Sequence, residues 1–230
     1  MNVLSHSDGV RETQPIRRGF LIVSDWIVMI AVIIGLGIFF GWRWASRNWQ
    51  LPCPSLFGWA LESRFYQRIS GTSTTLDRMN LQPGQRILEI GPGPGRLLIP
   101  AAERILPGGE AVGIDIQQGM VKRLNRRAEE ARISNLTAIL GDATQSNVKE
   151  GSFDLVFLVT TLGEIPDRAA AIAQSYKALK PKGILSVTEI FGDPHYQSRS
   201  TVKRLAEEAG FQLKAIHGHW WFFTANFVKP

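Results

Sequence analysis

An internal disulfide framework and a multi-thiolate metal centre are both excluded, because the 230-residue chain holds one cysteine, Cys53. Histidine is scarce as well. His6, His195, His217 and His219 are the four, and none are spaced as ligands on one helix face. His217 and His219 lie two apart, on one face if their segment is a strand. A hairpin edge is the preferred reading over a metal site, and no metal is expected. The chain also lacks the aromatic-interleaved basic tract that binds single-stranded nucleic acid, although its formal charge is +6 and its pI near 9.8. Its densest cations, Lys122, Arg123, Arg126, Arg127 and Arg132, are interrupted by Glu129 and Glu130 and read as a solvated helix face. No specific nucleic-acid partner is expected, while the positive excess is compatible with an anionic bilayer surface. Repeats and low-complexity tracts are missing too. What remains, 44% hydrophobic and 20% charged, suffices for one α/β domain and an appendage.

Charge is nearly missing from residues 20–42, FLIVSDWIVMIAVIIGLGIFFGW, where Asp25 is the one ionised side chain. The uninterrupted part, Trp26–Trp42, is about 25 Å long as a helix, enough to span or nearly span a bilayer. Trp42, Trp44 and Trp49, with Arg43 and Arg47, resemble an interfacial belt at its far end. A cleaved signal peptide is disfavoured because no small-x-small site follows. A buried core helix is disfavoured because there is no polar face. The division expected is a polar tail over 1–19, a transmembrane or membrane-interfacial helix over 20–42, an aromatic juxtamembrane connector and helical cap over 43–80, and a domain over 81–230. Within the connector Pro52 and Pro54 break any continued helix, Trp59–Ile69 is expected to be helical, and Thr74–Met79 forms a short helix. Arg11, Arg17 and Arg18 against Arg43 and Arg47 leave the positive-inside balance nearly even. A domain using a nucleotide-like cofactor needs the cytoplasmic pool. The expectation is therefore a single-pass or monotopic membrane protein with that domain facing the cytoplasm.

Residues 87–95 read ILEIGPGPG. Ile87, Leu88 and Ile90 suit a buried parallel strand. Gly91, Gly93 and Gly95 let the backbone turn and approach a ligand closely, and Pro94 suits the first turn of a helix running Gly95–Ile105. Apolar runs at Arg86–Ile90, Ala111–Asp115, Leu136–Leu140, Phe153–Val159 and Ile184–Ile190 alternate with helical stretches at Gly95–Ile105, Gln118–Ala131, Arg168–Leu179 and Ser200–Ala209. This predicts a doubly wound α/β sheet, mostly parallel and covered on both faces. Phe211–Ile216 and Trp220–Val228 read as two last strands joined around Gly218.

Asp115 ends the second strand 24 positions beyond Gly91, where a carboxylate can accept both hydroxyls of a ribose. Asp142, in Leu140-Gly141-Asp142-Ala143, ends the third strand and is placed for an exocyclic amine. Ala178–Gly183, ALKPKG, reads as a helix exit and turn into the fifth strand. An NAD dehydrogenase is disfavoured, because its G-x-G-x-x-G places the third glycine one residue later.

On these residues the chain resembles the class I S-adenosylmethionine-dependent methyltransferases over about Leu81–Pro230, small-molecule and quinone-biosynthesis types above all. The resemblance implies a seven-stranded sheet with a reversed last strand and S-adenosyl-L-methionine as cofactor. It places Glu89, Gly91, Gly93 and Gly95 at the methionine end and Asp115 on the ribose. Ile116 and Gln117 would flank the adenine, Asp142 and Ala143 would meet its amine, and Val159 and Thr160 would border the reacting methyl. The loop of amide-methylating enzymes is absent, since Val159-Thr160-Thr161-Leu162 stands there, and so is the acidic cluster of metal-dependent O-methyltransferases.

Candidate bases are Glu164 in LGEIPD, Glu189 in SVTEI and His195, with Tyr196 beside it. A salt bridge or cap is the plain alternative for the glutamates, and a surface position is preferred for His195. Relatives often carry histidine at the place of Gly163, and the glycine is expected to widen the pocket. The function expected is methyl transfer to a small, hydrophobic or lipid-like acceptor, with Phe191, Trp220, Trp221, Phe222 and Phe223 as apolar lining. A membrane-tethered cofactor-binding module that assembles a partner enzyme is the alternative, and methylation of protein or nucleic acid a third. Nothing in the sequence sets the oligomeric state.

Overall fold

Unbroken apolar runs, rather than alternating ones, become the inner strands of one sheet. A computed structural model describes residues 18–49, 71–145 and 148–230. The sheet has seven strands: β1 (Arg86–Ile90), β2 (Glu110–Asp115), β3 (Leu136–Leu140), β4 (Phe153–Val159), β5 (Leu179–Ile190), β6 (Gln212–His219) and β7 (Phe222–Val228). Their spatial order is β3-β2-β1-β4-β5-β7-β6. Neighbours pair in parallel except at β7, which runs antiparallel to both β5 and β6. The doubly wound fold with a reversed last strand is thus present. The order reverses between β1 and β4, so the carboxyl ends of these two strands splay into a crevice.

Helices α2 (Thr72–Met79), α3 (Leu98–Arg104), α4 (Gln118–Glu130), α5 (Arg168–Ala178) and α6 (Arg199–Glu208) accompany the sheet. Successive side chains of β1 serve opposite faces, as the two-residue period of a strand requires. Ile87 joins Leu76, Leu98 and Leu124 on one face, and Leu88 and Ile90 join Ile172 and Val202 on the other. Side-chain caps start two helices: Asp167 Oδ1 accepts from Ala170 N at 2.9 Å, and Ser198 Oγ from Thr201 N at 3.2 Å.

Several boundaries differ from the expectation. The helix after the glycine loop begins at Leu98, and Pro94 lies in the loop, because positive φ at Gly91, Gly93 and Gly95 (67°, 51° and 83°) is incompatible with a right-handed helix. The helix expected from Thr74 starts two residues earlier, at Thr72. The LKPKG turn is absorbed into β5, where pairing jumps from Phe153–Leu179 to Leu155–Ile184 and Lys182 takes φ 66°. Gly218 is not the hairpin turn: it pairs with Phe223 inside the ladder, and Trp220 and Trp221 make the turn.

A further helix, α1 (Arg18–Trp49), spans 32 residues. Met1–Arg43 forms one compact unit and Trp44–Pro230 another. The side chains from Trp26 to Ile38 are exposed without interruption. Among the described residues no helix is long and apolar enough to cross a membrane. The tail before Arg18, Cys53, the Pro52 and Pro54 breaks and the expected Trp59–Ile69 helix lie outside the described residues.

Candidate cofactor and acceptor site

The site is built at the carboxyl edge of β1, β2, β3 and β4. The three loop glycines take different parts there. A Cβ on Gly91 would lie 2.4 Å from Thr161 Cγ2, and one on Gly95 would lie 2.4 Å from Leu124 Cδ1. Both positions are close-packing points between elements. A Cβ on Gly93 would meet nothing within 4 Å, so Gly93 is the glycine that faces open space. Its N–H donates to Asp115 Oδ2 at 3.1 Å, and Gln117 N donates to Asp115 Oδ1 at 2.8 Å. Asp115 therefore clasps the loop to the tip of β2. Burial raises its pKa, and the two amides oppose that rise. An ionised carboxylate offers about four acceptor positions, so the clasp still leaves capacity for hydroxyl donors.

Glu89 sits on β1 beneath the loop. Burial pushes its pKa to about 8, against the pull of Arg96, with Asp115 adding to the rise. Its Oε2 is buried and has no hydrogen-bond partner within the protein. A buried orphan carboxylate oxygen fits an ammonium group, the kind that an adenosyl-methionine cofactor carries at one end. Ile116, 65% exposed at the tip of β2, offers an apolar platform, with Gln117 forming the N-cap of α4. Asp142 Oδ1 is fixed by Thr144 N and Thr144 Oγ1, both at 2.8 Å, with Ala143 half-buried beside it. The donor and acceptor set at this edge thus fits the expected cofactor.

At the tip of β4, Thr160 has φ 54°, a left-handed conformation that a β-branched residue rarely adopts. Its N–H donates to Thr188 O at 2.9 Å and its Oγ1 to Val159 O at 2.7 Å. The side chain of Val159 belongs to the core instead, so only its backbone reaches the site.

The candidate bases gather beyond β4 and β5. Glu189 is 1% exposed; its Oε2 accepts from Gln197 N at 3.1 Å, and its Oε1 is buried without a partner. Burial holds its pKa well above the ordinary carboxylate range. Asp193 and Glu164 add to that rise, while Gln197 N–H and Arg168 oppose it. Arg168 also donates to Gly163 O at 3.1 Å. Glu164 ends the one-turn helix Leu162–Glu164.

Two expectations are overturned here. His195 is not at the surface: it is 5% exposed, with its N–H bonded to Asp193 Oδ1 and its carbonyl to Gln197 Nε2. Gly163 does not widen a pocket, because a Cβ there would lie 1.8 Å from His195 O. The glycine lets the loop of His195 close down on the one-turn helix.

Several contributors were invisible in the sequence. Arg127, assigned to a solvated face, donates to Pro94 O and braces the glycine loop from α4. Arg96 is buried and donates to Thr72 Oγ1 at 3.1 Å, tying α2 to the loop. Thr161, Arg168, Asp193 and Gln197 likewise act through partners distant in sequence or through their own loop backbone. Phe223 is core, whereas Phe191, Trp220 and Trp221 are exposed at the carboxyl edge of the sheet. Among the described residues no group of three or more His, Cys, Asp or Glu is placed to hold a metal.

A family profile described as a methyltransferase domain matches residues 81–218. Nocamycin O-methyltransferase of Saccharothrix syringae is 37% identical over 113 residues, 49% of this chain and 40% of that protein. Demethylmenaquinone methyltransferase of a Geobacillus strain is 28% identical over 119 residues, 52% of this chain and 51% of that protein. The chain thus spans about half or less of these curated relatives. A SAM-dependent methyltransferase from Aquifex aeolicus superposes with a TM-score of 0.71 at 16% identity, covering 78% of this chain and 100% of that one. That likeness speaks for the fold.

Proposed function

This chain belongs to the methyltransferase domain family, matched over residues 81–218, and on that premise we propose that it is an S-adenosyl-L-methionine-dependent methyltransferase for a small, hydrophobic or lipid-like acceptor, held at a membrane by α1. The observation that carries the reading is the clasp of Gly93 N–H by Asp115 below open space, with the orphan Oε2 of Glu89 beside it.

When bound, the cofactor supplies an activated methyl on a sulfonium whose leaving group is a neutral thioether. The chain's residues do the rest. Glu89 receives the ammonium, Asp115 the ribose hydroxyls, and Ile116 with Asp142 the adenine. Thr160 and Thr161 shape the wall beside the methyl. The chain's residues would align the acceptor's nucleophilic atom with that methyl and exclude water, and a base or water would take the acceptor's proton. Glu189 and Glu164, whose charges interact beyond β4 and β5, are the candidate bases. Burial raises the pKa of Glu189, which makes it a stronger proton acceptor than an exposed carboxylate.

Membrane attachment is supported by the exposed apolar side chains of α1 from Trp26 to Ile38. A hydrophobic acceptor is supported by exposed Phe191, Trp220 and Trp221, and it agrees with the quinone acceptor for which one relative is named. The catalytic domain then faces the cytoplasm, where the cofactor is made. The burial of both Glu189 and His195 favours a second reading: a tethered cofactor-binding module that does no chemistry.

Incubation of the purified protein with methyl-labelled cofactor and either a lipid extract or a soluble metabolite pool separates the readings. Label in the organic phase is the expected result. Label only among soluble metabolites sinks the lipid acceptor, and cofactor binding without transfer to either pool supports the module.

A further inference from the structure

The hairpin between β6 and β7 ends at the carboxyl edge of the sheet, beside the acceptor-side loop. Phe191 N donates to Trp221 O at 2.7 Å, and Tyr196 Oη donates to Trp220 O. Phe191 packs edge-to-face on Tyr196 and on Trp220, with ring centroids 5.6 and 5.1 Å apart. His219 stacks on Trp221 at 6.2 Å, 10° from coplanar. These contacts brace the rings without covering them: Trp220 is 60% and Trp221 50% exposed. The next buried rings of β7, Phe223 and Phe227, already fill the core, so the tryptophans are not needed there.

Charge in this segment is one-sided. At the tip Arg199 donates to Gly218 O at 2.6 Å and the Arg78 guanidinium lies 4.5 Å over the Phe222 ring, while from Ala209 to Pro230 the sequence holds no aspartate or glutamate. Tryptophan at the water boundary, next to two guanidinium groups, matches the headgroup layer of an anionic bilayer in both polarity and charge. An acidic protein partner would match the charge alone.

We propose that the β6–β7 hairpin tip is a lipid-docking edge, with Trp220, Trp221 and Phe191 entering the headgroup layer of an anionic bilayer and the guanidinium groups of Arg199 and Arg78 beside the tip holding it there. The proposal rests on the methyltransferase reading only for its consequence, that the acceptor reaches the site from the lipid side. Docking at this edge is a separate contact from any attachment through α1.

Hydrogen exchange of the full chain tests both contacts at once, since peptides over residues 216–223 and over α1 are read independently. The vesicles are phosphatidylcholine alone or phosphatidylcholine with phosphatidylserine. With serine lipid present, exchange over 216–223 slows about three-fold or more, and added salt reverses the effect. In the Trp220→Ser, Trp221→Ser variant this protection disappears while cofactor affinity is kept. Should the double variant lose cofactor binding, Trp221→Ser alone decides, since its ring contacts are to His219 and Phe222. Protection over α1 alone overturns the docking edge and leaves the anchor standing. Protection of the hairpin alone upholds the docking edge and removes the anchor. Protection of neither region, or equal protection by neutral vesicles in high salt, overturns the docking edge.

Discussion

At the scale of single residues, the site is a set of buried charges whose costs are met only in part by the protein. Glu89 shows the consequence most plainly. Its pKa is raised from 4.5 to about 8, so the folded state binds this proton more tightly than the unfolded chain does. The associated stability is complete below 4.5 and is lost as pH rises through about 8. Glu89→Gln, which never ionises, is expected to gain thermal stability relative to the parent as pH crosses that window, and melting curves on either side of it check this. An ammonium beside Glu89 stabilises its ionised form, so cofactor binding near neutrality releases protons. Calorimetry in buffers of different ionisation enthalpy reads that release, and Glu89→Gln abolishes it. Asp115→Ala removes two hydrogen bonds to a charged acceptor, each worth about 1.5–3 kcal/mol, and lowers cofactor affinity by at least about 100-fold by titration. Unchanged affinity would contradict the ribose role.

At the scale of elements, the acceptor side is where the one-turn helix Leu162–Glu164 meets the loop from Phe191 to Ser198. Their approach depends on the bare Cα of Gly163, because a methyl there would press on the His195 carbonyl. That neighbour is backbone and cannot swing aside. Gly163→Ala is therefore expected to cost about 2–3 kcal/mol, read from the urea midpoint, and to disturb acceptor more than cofactor affinity. Glu189→Gln keeps an oxygen for Gln197 N but cannot take a proton. If Glu189 is the base, turnover falls at least about 100-fold while melting temperature changes little. An equal fall in both marks it as structural.

At the scale of the whole molecule, residues 1–43 and 44–230 form separate compact units. Removal of 1–43 is expected to leave cofactor affinity within about two-fold, because the binding residues belong to the second unit. Sedimentation with vesicles then isolates what α1 contributes. A large loss of cofactor affinity on this deletion would show that the N-terminal unit takes part in the site.

Much of the architecture was legible because a buried parallel strand needs a continuous apolar run. Such runs at Ile87, Val112, Val156 and Val187 locate β1, β2, β4 and β5 from the sequence alone. The acidic tips Asp115 and Asp142 were legible for a related reason, since a carboxylate ending an apolar strand has few structural uses. The sequence likewise carried the apolar stretch of α1 and the single cysteine's veto on disulfides. Tertiary structure alone decided which glycine faces open space, that His195 is buried, that Gly163 is a packing point, and that Arg96 and Arg127 brace the loop. Each depends on a partner 24 to 70 residues away, as in Gly91 with Thr161, Arg96 with Thr72 and Arg127 with Pro94, or 32 away for Gly163 with His195. Local pattern records whether a side chain suits a strand or a helix. It does not record which distant atom will stand against it.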